Sequence, residues 1–157
     1  VPVDGSELSM HAAREAIALA VPLGVSVVAF HSMTPFMYTY MADYAIPNQT
    51  SAPEHRRASK RFATELLAKV QALAKASSVA CSVLASENTY VHEGILAAAK
   101  KTGADLIVMG SHGRGPLAQV FLGSVAMHIV THSDVPVLIV RKAKETAKRS
   151  RRVRTVA

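Results

Sequence analysis

The sequence has little that could cross-link the chain or carry it across a membrane. It contains one cysteine, Cys81, and no tryptophan among 157 residues. A single cysteine cannot form an internal disulfide, and its apolar surroundings favour a buried, unreactive thiol in a reducing compartment. No apolar run approaches the roughly 20 residues that a membrane-spanning helix needs, and no signal peptide is evident. We therefore expect a cytoplasmic protein that does not enter the membrane.

Acidic residues are also scarce, but the charge imbalance is confined to one end. The chain has 18 Lys and Arg against 11 Asp and Glu, and eight of the basic residues lie in residues 141–157 beside one acid, Glu145. Residues 1–140 carry ten charges of each sign, so their net charge gives no attraction for nucleic acid. Length and composition predict one domain, residues 1–141, followed by a basic tail, residues 142–157, that we expect to be disordered.

Helical and strand patterns alternate along the chain, an order typical of parallel strands joined by helices. The apolar periodicity predicts strands over residues 1–4, 25–30, 79–85, 106–109 and 137–141. It predicts helices over residues 8–21, 51–76, 90–101 and about 123–133. Residues 32–50 hold prolines, tyrosines and methionines without a clear period, which predicts a mobile loop or a short helical piece able to fold over a ligand.

Helix ends are marked by residues with capping chemistry. Ser6 or Ser9 is expected to cap the first helix, and Pro22 with Gly24 to end it. Ser51 and Glu54 form a capping-box pattern before the second helix. The third helix is expected to start at Asn88 or Thr89 and to stop at Gly103, which can adopt positive φ.

The segment Gly110-Ser111-His112-Gly113, followed after nine residues by Gly123-Ser124, has the most informative spacing. It follows a buried strand and leads into a helix, so it lies where open α/β sheets bind their ligands. Glycines allow close approach of the backbone to a phosphate, and a helix start offers N–H groups and a positive dipole end. The alternative is that these glycines serve only the geometry of a tight turn.

These glycines, together with Asp4-Gly5-Ser6 and the apolar run at residues 135–140, resemble the universal stress protein family over essentially the whole chain. The resemblance is to the ATP-binding subclass, whose motif Gly-x-x-Gly-x9-Gly-Ser/Thr is matched at Gly110, Gly113, Gly123 and Ser124. It implies a five-stranded parallel open sheet with strand order 3-2-1-4-5 and helices on both faces. Two positions depart from the pattern: only residues 1–3 precede Asp4, so we expect the front of the first strand to be missing, and Ser32 replaces an apolar residue.

The resemblance implies a site for ATP, alone or with magnesium. In this arrangement residues 2–4 line the adenine end, Gly110 meets the ribose, and the loop backbone, the Arg114 charge and the N–H groups at Gly123 and Ser124 hold the phosphates. Asp4 could instead, or in addition, order the turn with Gly5 or cap the first helix. The implied nucleotide-binding residues are Pro2, Val3, Asp4, Ser32, Met109, Gly110, Ser111, His112, Gly113, Arg114, Gly123, Ser124 and Val125.

Motifs of common nucleotide-using enzymes and hydrolases are missing. No Gly-Lys-Ser/Thr follows the loop, and neither the Gly-x-Gly-x-x-Gly nor the Gly-x-Ser-x-Gly pattern fits. Adjacent Ser111 and His112 are poorly placed as a nucleophile and base, so no catalytic residue is assigned, and His112 is a phosphate contact or an exposed loop imidazole. His128 and His132 could share a metal, but no third ligand follows at a recognisable spacing, so no metal site is predicted.

We therefore predict a nucleotide-dependent binding module of the stress response, not an efficient enzyme. A slow ATPase is one alternative, although no group that positions water can be assigned. A second alternative is that the basic tail binds nucleic acid or an anionic surface. The tail could instead be a solvated extension without a binding role. The apolar edge strand Val137–Val140 predicts a homodimer, because an unpaired edge of this kind favours association.

Overall fold

We describe the protein from a computed structural model, in which residues 1–36, 51–112 and 122–141 are defined. Eight elements alternate along the chain: α1 (Glu7–Leu23), β1 (Val27–Met33), α2 (Ala52–Ala76), β2 (Cys81–Glu87), α3 (Val91–Thr102), β3 (Ile107–Gly110), α4 (Ser124–His132) and β4 (Val137–Val140). The predicted alternation of helices and parallel strands is confirmed. Most of the 32–50 segment, Gly113, Arg114 and the basic tail lie outside the described residues.

The strands form two parallel pairs. β1 pairs with β2, and β3 pairs with β4, which are the second–third and fourth–fifth neighbours of the predicted order. Residues 1–3 lie beside β1 on its other side. There the Phe30 N–H donates to the Val1 carbonyl at 2.9 Å, and the Val3 N–H donates to the Phe30 carbonyl at 2.8 Å.

The first predicted strand is reduced to one bridge, between Pro2 and Phe30. The chain leaves β1 immediately afterwards, because the Asp4 carboxylate accepts the Ser6 N–H at 2.9 Å and Gly5 has a φ of 85°. The described residues therefore contain two two-stranded sheets, and no strand pairing joins them into the predicted sheet of five.

The structure of α1 tests the predicted N-terminal cap and the predicted end of this helix. Ser6 is the cap, since its hydroxyl accepts the Ser9 N–H at 3.2 Å. The prediction that Pro22 ends the helix was wrong: Pro22 lies inside the last turn, and the helix ends at Gly24, whose φ is 64°. A proline that late in a helix lacks one N–H but is followed by only one more helical residue, so the break comes at the glycine.

Of the two predicted helix starts that follow, the one at α2 is confirmed and the one at α3 is wrong. At α2 the predicted capping box is present, because the Glu54 carboxylate accepts both the Ser51 N–H at 2.9 Å and the Ser51 hydroxyl at 2.7 Å. These hydrogen bonds lower the pKa of Glu54. At α3 the cap is Tyr90, so the predicted start at Asn88 or Thr89 was wrong. The Asn88 amide is engaged instead with the hydroxyls of Ser32 and Ser86, at the ends of β1 and β2.

Buried side chains form two principal groups. One joins α1 and α2 to one face of β1, with Ile17, Leu67 and Val70 among its members. The other joins α3, β3 and α4, with Ile95 and Ile129 among its members. In the part of the chain that the structure describes, no helix is both long and apolar enough to cross a bilayer.

Candidate functional site

A cavity of about 860 Å³ opens at the carboxyl ends of β1 and β3. Its walls come from residues 2–4, the end of β1, one side of α2, the start of α3, the end of β3 and the first turn of α4. Ten of the predicted site residues line it: Pro2, Val3, Asp4, Ser32, Met109, Gly110, His112, Gly123, Ser124 and Val125. The fold thus brings segments from both ends of the sequence to one concave site, at the sheet edge where open α/β proteins bind ligands.

Ser111 was predicted to contact a ligand but is not part of this wall. It is buried, with 4% of its surface exposed, and its N–H donates to the Val140 carbonyl at 2.9 Å. Its hydroxyl is 3.0 Å from Nδ1 of His112, within hydrogen-bonding distance. Ser111 therefore supports the loop from behind, while His112 is the half-buried residue that reaches the cavity.

The first turn of α4 forms one wall of the cavity and brings backbone N–H groups to it. The N–H of Gly123, expected to face a phosphate, instead donates to the Ser111 carbonyl at 2.7 Å. The N–H groups of Ser124, Val125 and Ala126 come next, and the first N–H groups of a helix have no acceptor within the helix. Gly123 has no side chain to cap them, and all three residues line the cavity. Anions bind at such helix starts through these donors and the helix dipole.

The two motif glycines in this region are also closely packed. A Cβ at Gly110 would lie 3.0 Å from Cγ of Leu8, and a Cβ at Gly123 would lie 3.3 Å from Cα of His112. Asp4 likewise has the structural task described above, since its carboxylate orders the turn before α1, and it lines the cavity as well. The same residues therefore shape the turns and line the cavity.

Sequence reasoning missed several cavity residues. His31 and Phe62 line the wall, and their rings meet edge to face with centroids 5.5 Å apart. Phe62 lies on α2 and is 40% exposed. His31 was visible as the polar residue at the end of a buried strand. The contribution of Phe62 depends on how α2 lies across β1, which its helical spacing does not reveal.

Three histidines outside the cavity also come together. His92 of α3 stacks on His128 of α4, with ring centroids 4.3 Å apart and an interplanar angle of 10°, and His132 lies 5.7 Å beyond. Within the described ranges, no three His, Cys, Asp or Glu side chains are arranged to hold a metal ion.

Cys81 lies at the start of β2 and is not among the residues lining the cavity. Partial burial raises the pKa of its thiol. A raised pKa keeps the thiol protonated at neutral pH, and the thiolate is the reactive form. The thiol is only partly buried, whereas the sequence predicted a buried one.

The chain belongs to the universal stress protein family, whose family model matches residues 1–141. It is 33% identical over 147 residues to universal stress protein MJ0531 of Methanocaldococcus jannaschii, an overlap of 92% of this chain and 82% of that protein.

Two solved structures share the fold. That of MJ0577, from the same organism, has a TM-score of 0.75 at 23% identity, covering 92% of this chain and 94% of its own. That of an Archaeoglobus fulgidus universal stress protein in complex with dAMP has a TM-score of 0.60 at 20% identity, covering 88% of this chain and 92% of its own. At these identities the two structures show that the fold is shared.

Proposed function

We propose that this protein binds ATP in the cavity between β1, β3 and the start of α4, and acts as a nucleotide-dependent binding module in the stress response. One observation supports the proposal most: a single cavity of about 860 Å³ is lined both by apolar side chains and by the α4 start, which offers three N–H groups. Pockets for small molecules measure about 300–1,000 Å³. A relative of the same fold is known in complex with dAMP, an adenine nucleotide.

The two ends of the cavity suit the two ends of a nucleotide. Pro2, Val3, Phe30 and Ile95 are among the apolar residues of the lining, which suit a base, and Asp4 adds a carboxylate beside Val3. The start of α4 suits the phosphates, and we assign Gly113 and Arg114 to the same end, with magnesium as a further ligand of the phosphates. No residue is assigned to catalysis. We place the protein in the cytoplasm, and we propose one continuous sheet with strand order 3-2-1-4-5.

Ser124→Pro tests the phosphate end. Ser124 is the first residue of α4, where proline is well tolerated, and Gly123 has φ −61° and ψ 158°, the extended conformation that a residue before proline adopts. The substitution removes one N–H donor and leaves the helix in place. We expect ATP affinity, measured by calorimetry, to fall about 10- to 150-fold, because a hydrogen bond to a charged group contributes roughly 1.5–3 kcal/mol.

Two controls make this test specific. Ser124→Ala removes only the hydroxyl and is expected to change ATP affinity less than threefold, on the order of one neutral hydrogen bond or less. Adenosine, which has no phosphate, is expected to bind the proline variant as it binds the unaltered protein. The proposed function is wrong if the unaltered protein gives neither heat nor a melting shift with ATP, with or without Mg²⁺.

We also propose a homodimer formed through the outer edge of β4. Within the described residues β4 pairs only with β3, and Leu138 on this strand is 41% exposed. Addition of the same strand from a second copy would cover this edge. We expect a dimer in sedimentation at micromolar concentration, shifted towards monomer by Leu138→Lys and not by Val130→Lys on α4. A monomer in the unaltered protein contradicts this proposal.

A further inference from the structure

We propose that His31 selects the base of the bound nucleotide, by accepting a hydrogen bond from the 6-amino group of adenine. The proposal rests on the proposed function, because it assumes that the base lies at the end of the cavity formed by residues 2–4. His31 lines the cavity there, next to Ser32 and beside Val3 of the neighbouring segment.

The hydrogen bond between His31 and Val3 fixes which ring nitrogen carries the proton. Nδ1 of His31 lies 2.7 Å from the carbonyl oxygen of Val3. A carbonyl oxygen can only accept, so Nδ1 is the donor and carries hydrogen. In the neutral imidazole the other nitrogen, Nε2, then has a lone pair and acts as an acceptor.

The ring is also held in place, with Nε2 accessible. Phe62 meets it edge to face at a centroid distance of 5.5 Å and an interplanar angle of 62°, and both residues line the cavity. Nε2 has no hydrogen-bond partner among the described residues. Because no buried side-chain nitrogen or oxygen in that part of the chain lacks a partner, Nε2 is not sealed in the core. It is therefore an oriented, accessible acceptor on a residue that lines the cavity.

An oriented acceptor distinguishes purines at position 6. Adenine carries an amino group there, which donates a hydrogen bond, whereas guanine and hypoxanthine carry an oxo group, which only accepts. Placing an oxo group against Nε2 leaves two acceptors facing each other without a proton between them. Sites built around such a hydrogen bond reject the analogue that lacks it, because their polar groups are left unpaired.

The test compares ATP with ITP, which differs at this end of the base. Affinities are measured by calorimetry at about pH 8, above the range in which imidazoles ordinarily titrate. The unaltered protein is expected to prefer ATP by roughly tenfold or more. His31→Asn keeps a donor near the Nδ1 position but has no atom at Nε2, so the preference should fall to about twofold or less, through weaker ATP binding. His31→Gln, which places a polar atom near Nε2, should retain part of the preference.

His11→Asn on α1, away from the cavity lining, is the matched control and should leave the ratio unchanged. A general disturbance of folding in His31→Asn would weaken both nucleotides together and leave the ratio as it was. An unchanged ratio therefore overturns the role of His31, whether or not absolute affinity falls, while ATP binding by the unaltered protein preserves the proposed function. Absence of ATP binding by the unaltered protein overturns both.

Discussion

Ile129→Ala is expected to lower the free energy of unfolding by about 2–5 kcal/mol. Ile129 lies on α4 with none of its surface exposed, in the group of buried side chains that also includes Phe30, Ile95 and Met109. The substitution removes three buried carbon atoms and leaves a cavity that the surrounding helices and strands cannot fill completely. Urea denaturation followed by circular dichroism measures the change.

Val130→Ala is the control for this prediction. Val130 is the next residue of the same helix and is 46% exposed. Its truncation is expected to change the free energy of unfolding by about 0.5 kcal/mol or less, as is usual for surface positions. Both residues are β-branched, so the gain in helix propensity on replacement by alanine is similar. Equal losses in the two variants would mean that α4 does not pack on α3 and β3 as described.

Gly94→Ala is expected to destabilise the protein by about 1–3 kcal/mol, the cost of disrupting a partly buried group of hydrogen bonds. The added Cβ would lie 2.4 Å from Nδ2 of Asn88, so the amide has to move. That nitrogen donates to the hydroxyls of Ser86 at 2.7 Å and Ser32 at 3.2 Å, and to the Ser86 carbonyl at 3.2 Å. Thermal and urea unfolding measure the loss.

A double-mutant cycle separates this clash from other effects. Asn88→Ala removes the amide and its hydrogen bonds, so the Cβ in Gly94→Ala no longer meets it. In that background Gly94→Ala should stabilise the protein by up to about 1 kcal/mol, because alanine is the better residue inside a helix. The expected reversal of sign is the distinguishing result. Destabilisation of the same size in both backgrounds would show that Asn88 is not the group in contact.

The order of elements could be predicted because each depends on neighbouring residues. The capping box at Ser51, the glycine after α3 and the short apolar strands are local signals, and their structural outcomes match. Strand limits were less accurate: β1 begins at Val27 and not at residue 25, because the Val25 N–H still bonds back to Ala20 of α1. Pairing between distant strands could not be derived from these signals and came from the family resemblance.

Some residues of the candidate site could likewise be predicted from local sequence signals, and others could not. Gly110 and Ser124 follow from the spacing of the motif, which places them at a strand end and a helix start. Two features could not be predicted: Ser111 is buried, and the Gly123 N–H donates to the Ser111 carbonyl and so is not available to a ligand. Both depend on contacts across the loop, which no local sequence pattern indicates. His31 was missed because its significance lies in the orientation of one ring nitrogen, which the Val3 carbonyl determines.

Two successive backbone hydrogen bonds, from Ser111 to Val140 and from Gly123 to Ser111, tie the end of β4 to the beginning of α4. The strand to which a second copy would add is therefore joined, through Ser111, to the helix end that would hold the phosphates. If nucleotide binding alters this connection, loading and assembly are linked, and by thermodynamic reciprocity each then shifts the other by the same factor.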